Sequence, residues 1–334
     1  MSAIEPRIHL SLDTCFAKKR WPMPEDWAPI VRDLGVAYVE LSADTEADPM
    51  YHGEAYLARW DRRVAAACEK HGIGIGSLYS GHGSYTTMGL LHPDPEIVDR
   101  MLHLWVEPTL KRAAAFGAEF GFFFHAVAEA DLQDSGRYAA RLQELEQRLA
   151  LVAQMSEAAG ARAGIEQMYS PNQPPWTIDG ARELLVGVAD RARAPLYLTL
   201  DTGHASGQRL FAGSRPEDSD PYAWIRSLGT VSPIIHLQQT DGLRSGHWPF
   251  TPERNAQGVI TPQKLLTALS EAWAARGSQP GLPPPVEDIY LTLEMFAGTA
   301  QSSDELLNEI TASVAHWREA VPQDGLRLSE LVSS

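Results

Sequence analysis

The sequence is poor in cysteine and has no long apolar run. Cys15 and Cys68 are its two cysteines among 334 residues, and they stand too far apart for a zinc knuckle or a disulfide framework. No stretch of about 18 apolar residues is present, which argues against a membrane-spanning helix. The first residues lack a basic segment followed by an apolar one, so no secretory signal is expected. These absences predict a soluble protein of the reducing cytoplasm.

Positive charge is also scarce. The 28 lysines and arginines are outnumbered by 43 acidic residues, which gives a formal net charge of −15 and a sequence pI near 5.1. Such a balance disfavours nucleic acid or an anionic membrane as the main partner, although a local basic site is compatible with it. A small molecule is the expected partner.

The common phosphate-binding and dinucleotide-binding motifs are missing as well. No Walker-type loop is present, and the cluster Gly72, Gly74 and Gly76 lies before and within the third predicted strand instead of after the first. No linker rich in proline, glycine or serine divides the chain. One domain over residues 1–334 is therefore predicted.

Short β-type runs alternate with amphipathic stretches through eight cycles. The predicted strands cover residues 8–14, 37–42, 73–80, 120–125, 163–168, 196–201, 233–238 and 289–294. The predicted helices cover residues 25–35, 54–72, 94–117, 135–160, 178–192, 218–229, 262–277 and 303–319. This alternation predicts an α/β fold, a parallel sheet closed into a (β/α)8 TIM barrel. Extended loops at 201–217 and 239–262 are expected over its C-terminal mouth.

Four side chains of metal-ligating type stand at the ends of the last four predicted strands. They are Glu166, Asp201, His236 and Glu294. A single carboxylate at a strand end is commonly a helix cap or an ion-pair partner. Four on consecutive strands of a barrel are expected to surround one mouth. Three carboxylates and one imidazole suit one divalent ion, with Mn²⁺ favoured over Mg²⁺ and Co²⁺.

Five motifs resemble a known family. They are Cys-Phe-Ala-Lys-Lys-Arg-Trp-Pro (15–22), Glu-Gln-Met-Tyr-Ser-Pro (166–171), Leu-Asp-Thr-Gly-His (200–204), His-Leu-Gln-Gln-Thr-Asp-Gly (236–242) and His-Trp-Pro-Phe-Thr (247–251). Over most of its length the chain resembles the sugar phosphate isomerase/epimerase family of xylose-isomerase-like TIM barrels, and within it the tetrulose-phosphate (erythrulose-phosphate) 3-epimerases. The resemblance implies that Glu166, Asp201, His236 and Glu294 are the metal ligands. It also implies that His204 contacts the substrate.

The chemistry that such a site supports follows from the weak acidity of a sugar carbon. Removing a proton beside a ketone leaves an enediolate, whose charge a divalent ion neutralises. One carboxylate takes the proton while a group on the other face returns one. Glu166 and Glu294 are the predicted acid/base pair. The predicted activity is metal-dependent epimerisation or isomerisation of a ketose or ketose phosphate, with tetrulose phosphate favoured.

Further polar residues have two interpretations each. His204 is expected to hydrogen-bond a substrate hydroxyl or to orient Asp201. His125, after the aromatic run of strand four, faces either the substrate or the core. Glu40, inside strand two, belongs either to the mouth or to a buried network.

A phosphate on the substrate would need cations at the mouth. The predicted phosphate holders in the first loop are Lys18, Lys19 and Arg20, although a solvated loop explains the same cluster. The alternative holders in the seventh loop are Arg244, His247 and Arg254. Trp248 and Phe250 are expected to form a lid over the site.

Other functions remain open at this point. The same barrel and metal would suit a lyase or deglycosidase acting on a 3-keto glycoside, which would require a small partner subunit. A phosphodiesterase like the apurinic endonucleases is disfavoured by the acidic balance, and an inert sugar-binding barrel by the intact ligand set. A two-metal hydride shift is disfavoured because one ligand quartet is visible. A homo-oligomer is compatible with Trp60, Trp105 and Trp224 as surface aromatics.

Overall fold

Eight parallel strands close into a barrel in this computed structural model, which describes residues 5–81, 87–211, 215–276, 279–295, 297–298 and 300–331. Each strand pairs with the next along the chain, and β1 pairs with both β2 and β8, which closes the ring. The barrel strands are β1 (Arg7–Asp13), β2 (Tyr38–Ser42), β3 (Gly74–Ser80), β4 (Glu119–Phe122), β5 (Ala163–Glu166), β6 (Tyr197–Asp201), β7 (Ile234–Leu237) and β8 (Asp288–Leu293). A short strand β9 (Leu326–Arg327) pairs antiparallel with β1. The predicted TIM barrel is confirmed.

Helices connect the strands and cover the outside of the barrel. Those of the described residues are α1 (Pro24–Asp33), α2 (Glu54–His71), α3 (Pro95–Met101), α4 (Glu107–Phe116), α5 (Glu129–Leu132), α6 (Ser135–Ala159), α7 (Ile178–Ala192), α8 (His204–Gly207), α9 (Pro221–Leu228), α10 (Pro252–Asn255), α11 (Pro262–Ala275), α12 (Ser303–Arg318) and α13 (Leu328–Leu331). Short 3-10 segments lie at Thr14–Ala17, Gln208–Leu210, Pro216–Ser219 and Gly229–Val231, and a π segment at Leu102–Val106 joins α3 to α4. None of the described helices combines the length and apolarity that crossing a bilayer requires.

The main departure from the predicted elements is at strand four. The prediction ran over 120–125, but β4 ends at Phe122. The next residues leave the sheet: the Phe124 ring packs against Trp105 with 4.3 Å between centroids, and His125 makes an isolated antiparallel bridge with Gly89. An apolar aromatic run fills a core equally well after its strand has ended, so sequence pattern alone does not mark this boundary.

Two predictions touch residues outside the described part of the chain. Residues 212–214 of the loop 201–217 and residue 277 of the predicted helix 262–277 lie outside it. The other helix boundaries agree with the prediction to within about three residues, except that the stretch 94–117 is broken by the π segment.

The expectation that Trp60, Trp105 and Trp224 lie on the surface is wrong. Trp105 and Trp224 are buried in the layer between helices and barrel, and Trp60 is 6% exposed. Trp60 in α2 and Trp224 in α9 stand on helix faces that pack inward, and Trp105 in the π segment packs against Phe120 and Phe124. These residues stabilise the core and offer no interface.

The strand register brings the chemistry-bearing residues to one end of the barrel. Asp201 pairs in register with His236, and Glu166 with Thr199. Glu294 follows β8 directly, where its backbone N–H donates to the Leu237 carbonyl at 3.2 Å. Because all eight strands run the same way, these ends share the C-terminal mouth.

A glycine inside the barrel makes room for a side chain of the site. A Cβ on Gly121 of β4 would lie 2.9 Å from the Tyr79 ring, 2.9 Å from Thr199 Oγ1 and 3.0 Å from Ile234 Cδ1. Three side chains would then have to move in a closely packed interior. Glycine at this position leaves the space that the Tyr79 ring occupies in the barrel interior.

We expect Gly121→Ala to lower the free energy of unfolding by about 1–3 kcal/mol, because the added methyl overpacks the barrel interior. Urea denaturation measures the change. Gly298→Ala is the control, since a Cβ there meets only the Gln301 Cβ at 3.6 Å, an ordinary contact. Equal stability of the two variants would contradict this account of the interior.

Candidate active site

Five side chains of metal-ligating type gather at the C-terminal mouth. Glu166, Asp201 and His204 form one group, and Asp201, His236 and Glu294 form another, with the ligand atoms of each group within 4.8 Å of one another. The Glu294 side chain is 20% exposed. The other four residues are buried. The structure therefore brings together all four side chains that the strand ends pointed to, and adds His204.

His236 occupies the centre of this cluster, with carboxylates at both ring nitrogens. Nδ1 lies 3.0 Å from Glu166 Oε1 and 3.8 Å from Glu294 Oε2, and Nε2 lies 3.0 Å from Glu40 Oε1. Burial lowers the pKa of His236, but the charges of Glu40 and Glu294 outweigh burial and raise it well above the ordinary histidine value. A proton is thus retained between these groups unless another cation takes its place.

Glu40 is the hydrogen-bond partner of His236 Nε2. It is fully buried in β2, and its second oxygen accepts a hydrogen bond from the Ser77 hydroxyl at 2.6 Å. The buried network is thus the correct interpretation of this glutamate. A carboxylate that accepts the Nε2 proton of a histidine leaves the Nδ1 lone pair directed at the other carboxylates, the arrangement of a metal-ligating imidazole.

Asp201 is fixed by donors on three sides. Its Oδ1 accepts the backbone N–H groups of Gly203 at 2.7 Å and of His204 at 2.8 Å, and the Gln238 amide donates to both oxygens at 2.8 and 2.9 Å. Burial raises its pKa, but positive charge on His204, His247 and His236 together with the Gln238 hydrogen bond lowers it to about 2. Asp201 is therefore ionised throughout the physiological pH range.

His204 has a defined tautomer. Its Nδ1 donates to the Gln167 carbonyl at 2.9 Å, so in the neutral ring Nε2 carries the lone pair. Nε2 lies 4.0 Å from Asp201 Oδ2. The ring can act either as a ligand beside Asp201 or as an acceptor for a hydroxyl.

Glu166 and Glu294 are held differently. The Tyr79 hydroxyl donates to Glu166 Oε2, and burial followed by the Glu166 charge raises the pKa of that phenol well above its usual value. Glu294 Oε2 is buried without a hydrogen bond among the described residues, and it lies 3.3 Å from His247 Nδ1. Burial lowers the pKa of His247, but Glu294 in particular raises it to about 9.

The donor set fits one divalent cation of the oxygen-preferring or borderline type. Three carboxylates supply oxygens, His236 supplies Nδ1, and Glu294 Oε2 is a buried acceptor that no described hydrogen bond satisfies. The two groups of ligand atoms share Asp201, and carboxylates with one imidazole match Mn²⁺, Mg²⁺ or Co²⁺ better than a thiolate-preferring metal. The structure therefore contains a candidate metal site.

A cavity of about 330 Å³ opens above the cluster. Its lining includes the cluster residues Glu166, His204 and Glu294 and reaches across the mouth to β1, β2 and β3. The remaining lining residues are Asp13, Cys15, Lys18, Ser42, Asp44, Tyr79, Gly81, Phe123, Met168, His247 and Met295. The volume suits a small metabolite.

Asp13 in this lining was missed by the sequence analysis. It ends β1, it is 8% exposed, and its Oδ1 accepts the Cys15 N–H at 2.9 Å. Burial, and then the charges of Glu40 and Glu294, raise its pKa to about 7. The signal was present, because Leu-Ser-Leu-Asp is a run that ends in a carboxylate, like the runs that end at Glu166, Asp201 and Glu294.

The predicted phosphate holders are separated by the structure. Lys18 and His247 line the cavity. The Arg20 guanidinium instead donates to the carbonyls of Gly298 at 2.9 Å and Gln301 at 2.7 Å. Arg244 is exposed and is not part of the lining.

The expected aromatic lid does not form as a pair. Trp248 lies outside the cavity lining, and Arg254 stacks over its ring at 4.4 Å. Phe250 is buried and packs edge-on against Trp317 with 5.3 Å between ring centroids. Phe250 belongs to the core, because the chain turns inward toward α12 at this point.

His125 lies in the core beside the mouth. It is fully buried, its Nε2 donates to the Pro174 carbonyl, and burial lowers its pKa to about 4. It is not among the residues that line the cavity; Phe123, two residues earlier, is. The early end of β4 is the reason that His125 does not occupy a strand end.

Comparison with known proteins gives relatives over almost the whole chain. D-Erythrulose 1-phosphate 3-epimerase of Brucella abortus is 28% identical over 325 residues, covering 93% of this chain and 95% of that protein. A solved structure of a candidate xylose isomerase from Rhodospirillum rubrum is 26% identical, with a TM-score of 0.75 over 94% of this chain and 100% of that one.

A third likeness concerns the fold alone. D-Psicose 3-epimerase of Clostridium cellulolyticum is 14% identical, with a TM-score of 0.62 over 93% of this chain and 99% of that chain. The sequence profile of the xylose isomerase-like TIM barrel family matches residues 29–271, which is more than half of the chain. The protein therefore belongs to the xylose isomerase-like TIM barrel family of enzymes.

Proposed function

We propose that the protein is a divalent-metal-dependent epimerase of a ketose, which transfers a proton at the carbon next to the ketone. The observation that carries the proposal is that Glu166 and Glu294 open onto one cavity beside the metal-ligating cluster. They stand at the ends of β5 and β8, with two strands between them. Inversion at a carbon needs a base on one face and an acid on the other, and two carboxylates that reach a substrate from separate strands provide both.

In this proposal Glu166, Asp201, His236 and Glu294 would hold a divalent cation, and its charge would stabilise negative charge on the substrate oxygen. Tyr79 orients Glu166 through its hydroxyl, and Glu294 Oε2 lies 3.3 Å from His247 Nδ1. Either carboxylate can then receive the proton from the substrate, depending on the epimer bound. The other returns a proton to the opposite face.

His204 is the proposed contact to a substrate hydroxyl. Its Nδ1 is committed to the Gln167 carbonyl, which leaves Nε2 as the acceptor at the cavity wall. Its position three residues after Asp201 supports this role, because the two residues share one turn whose backbone N–H groups hold the Asp201 carboxylate.

A tetrulose phosphate is the favoured substrate. The similarity to D-erythrulose 1-phosphate 3-epimerase over 93% of the chain supports it. Lys18 and His247 in the cavity lining would supply positive charge to a phosphate group. The size of the cavity suits a four- or five-carbon sugar.

Turnover of a tetrulose or pentulose in deuterated water is expected to place deuterium at the carbon next to the ketone. Glu166→Gln and Glu294→Gln should each reduce kcat by about 10²–10⁴-fold, because each removes one partner of the proton transfer. Mass spectrometry of the product and steady-state rates measure both effects. Glu253→Gln, at an exposed position of α10, is the control. Turnover without deuterium uptake would contradict proton transfer and favour a hydride shift.

Chelation of divalent metal is expected to abolish activity, and Mn²⁺ to restore it. Glu40→Gln should weaken Mn²⁺ binding by about 10–100-fold, because the carboxylate that orients His236 is lost. Calorimetric titration of the metal-free protein measures this affinity without any turnover. Glu119→Gln, another buried glutamate, lies outside the cluster and should leave the affinity unchanged. Equal affinities of the two variants would show that Glu40 does not support the ligand.

Lys18→Gln is expected to raise KM for a tetrulose phosphate by about tenfold and to leave KM for the unphosphorylated sugar unchanged, because a hydrogen bond to a charged group is worth about 1.5 kcal/mol or more. Steady-state kinetics with both substrates measure the difference. Lys19→Gln is the matched control, since Lys19 does not line the cavity. A KM that rises equally for both sugars would rule out Lys18 as a phosphate contact.

A further inference from the structure

Asp13 is a buried carboxylate that the proposed reaction has not used. It ends β1 between β2 and β8, and it lines the cavity on the side away from Glu166. Its Oδ1 accepts the Cys15 N–H, and apart from Cys15 no described residue donates a hydrogen bond to it. No lysine, arginine or histidine among the described residues forms an ion pair with it. The thiol of Cys15 is only a weak donor.

Such a carboxylate destabilises the fold. Taking a carboxylate out of water without a cation or a full set of hydrogen-bond donors is unfavourable, and neighbouring negative charge adds to the penalty. Glu40 and Glu294 are that neighbouring charge. A backbone cap at this turn needs one oxygen only, and an asparagine would provide it. Capping Cys15 therefore does not account for the charged side chain.

The wall around Asp13 suits a hydroxylated chain. Ser42 and Cys15 are neutral, and Asp44 adds a second carboxylate whose oxygens accept the Ser80 hydroxyl and the Gly81 N–H. The carboxylates of Asp13 and Asp44 accept hydroxyl donors readily.

We propose that Asp13 is a specificity-determining residue whose carboxylate accepts a hydrogen bond from a hydroxyl at a non-reacting end of the ketose. The inference rests on the proposed function, because it takes a ketose as the ligand of the cavity. The reacting carbon lies by Glu166 and Glu294, and the sugar extends from there toward β1 and β2.

The test uses erythrulose, 1-deoxyerythrulose and 4-deoxyerythrulose, and the Mn²⁺-loaded wild-type and Asp13→Asn proteins. Asparagine keeps Oδ1 for the Cys15 N–H and removes the charge. Calorimetry measures the Kd of each sugar, and kinetics measure KM and kcat where turnover occurs. We expect Asp13→Asn to weaken erythrulose binding by about 10–100-fold, the strength of a hydrogen bond to a charged group.

The deoxy sugars identify the contact. For one of the two deoxy sugars, the Kd of the wild type should equal the Kd of Asp13→Asn for erythrulose. For that same deoxy sugar, Asp13→Asn should have a Kd no higher than that of the wild type. Asp48→Asn is the matched control. Asp48 is 7% exposed and caps the N–H groups of Met50 and Tyr51, but it does not line the cavity. It should bind all three sugars like the wild type.

Two further measurements separate this role from a structural one. The affinity for Mn²⁺ and the melting temperature of Asp13→Asn should not fall, because Asp13 is not a ligand and its charge is unfavourable in the fold. Equal loss of affinity for all three sugars, a weaker metal site, or unchanged erythrulose binding would each overturn the proposal. Erythrulose that binds without exchanging deuterium would refute the proposed epimerase, while the Kd values still decide the role of Asp13. A wild type that binds no ketose would overturn both.

Discussion

The organisation of the mouth depends on one constraint: several carboxylates are buried together and need positive charge among them. Glu40, His236 and Glu166 form a continuous line across the barrel, from β2 through β7 to β5, in which one imidazole separates two carboxylates. Removing these charges from water is unfavourable, and only a cation between them offsets the loss. His236 supplies that positive charge when its ring is protonated, because the charges of Glu40 and Glu294 raise its pKa well above the ordinary histidine value. The same concentration of buried carboxylates makes this end of the barrel a candidate site for a divalent cation.

The barrel makes that arrangement possible because a closed sheet fixes the distance between strand ends. The register that pairs Asp201 with His236 leaves little freedom in the cluster. Gly121 shows that this control extends into the interior, since the space left by its missing side chain receives Tyr79, the residue that orients Glu166. Packing several residues below the mouth therefore sets the geometry of a carboxylate at the mouth.

The sequence was sufficient for the barrel and for four side chains that gather at its mouth, because both depend on local patterns: apolar runs of strand length, and a polar side chain where each run ends. It was insufficient wherever the outcome depended on a neighbour distant in the chain. His125 was misplaced because Phe123 and Phe124 continue the apolar pattern after β4 has ended. Glu40 was ambiguous because its partner is 196 positions away. Asp13 was overlooked although its run has the same pattern, and only the closure of β1 against β8 brings it beside Glu294.

The Arg20 side chain links the first βα loop to the eighth by hydrogen bonds. Its guanidinium binds the carbonyls of Gly298 and Gln301, so two segments nearly 280 positions apart in sequence form one rim. Lys18 stands on the same short turn and Glu294 lies just before the other segment. Replacing either loop alone with that of a relative would remove these two hydrogen bonds. Engineering of substrate range in this enzyme should therefore exchange the two loops as a single unit.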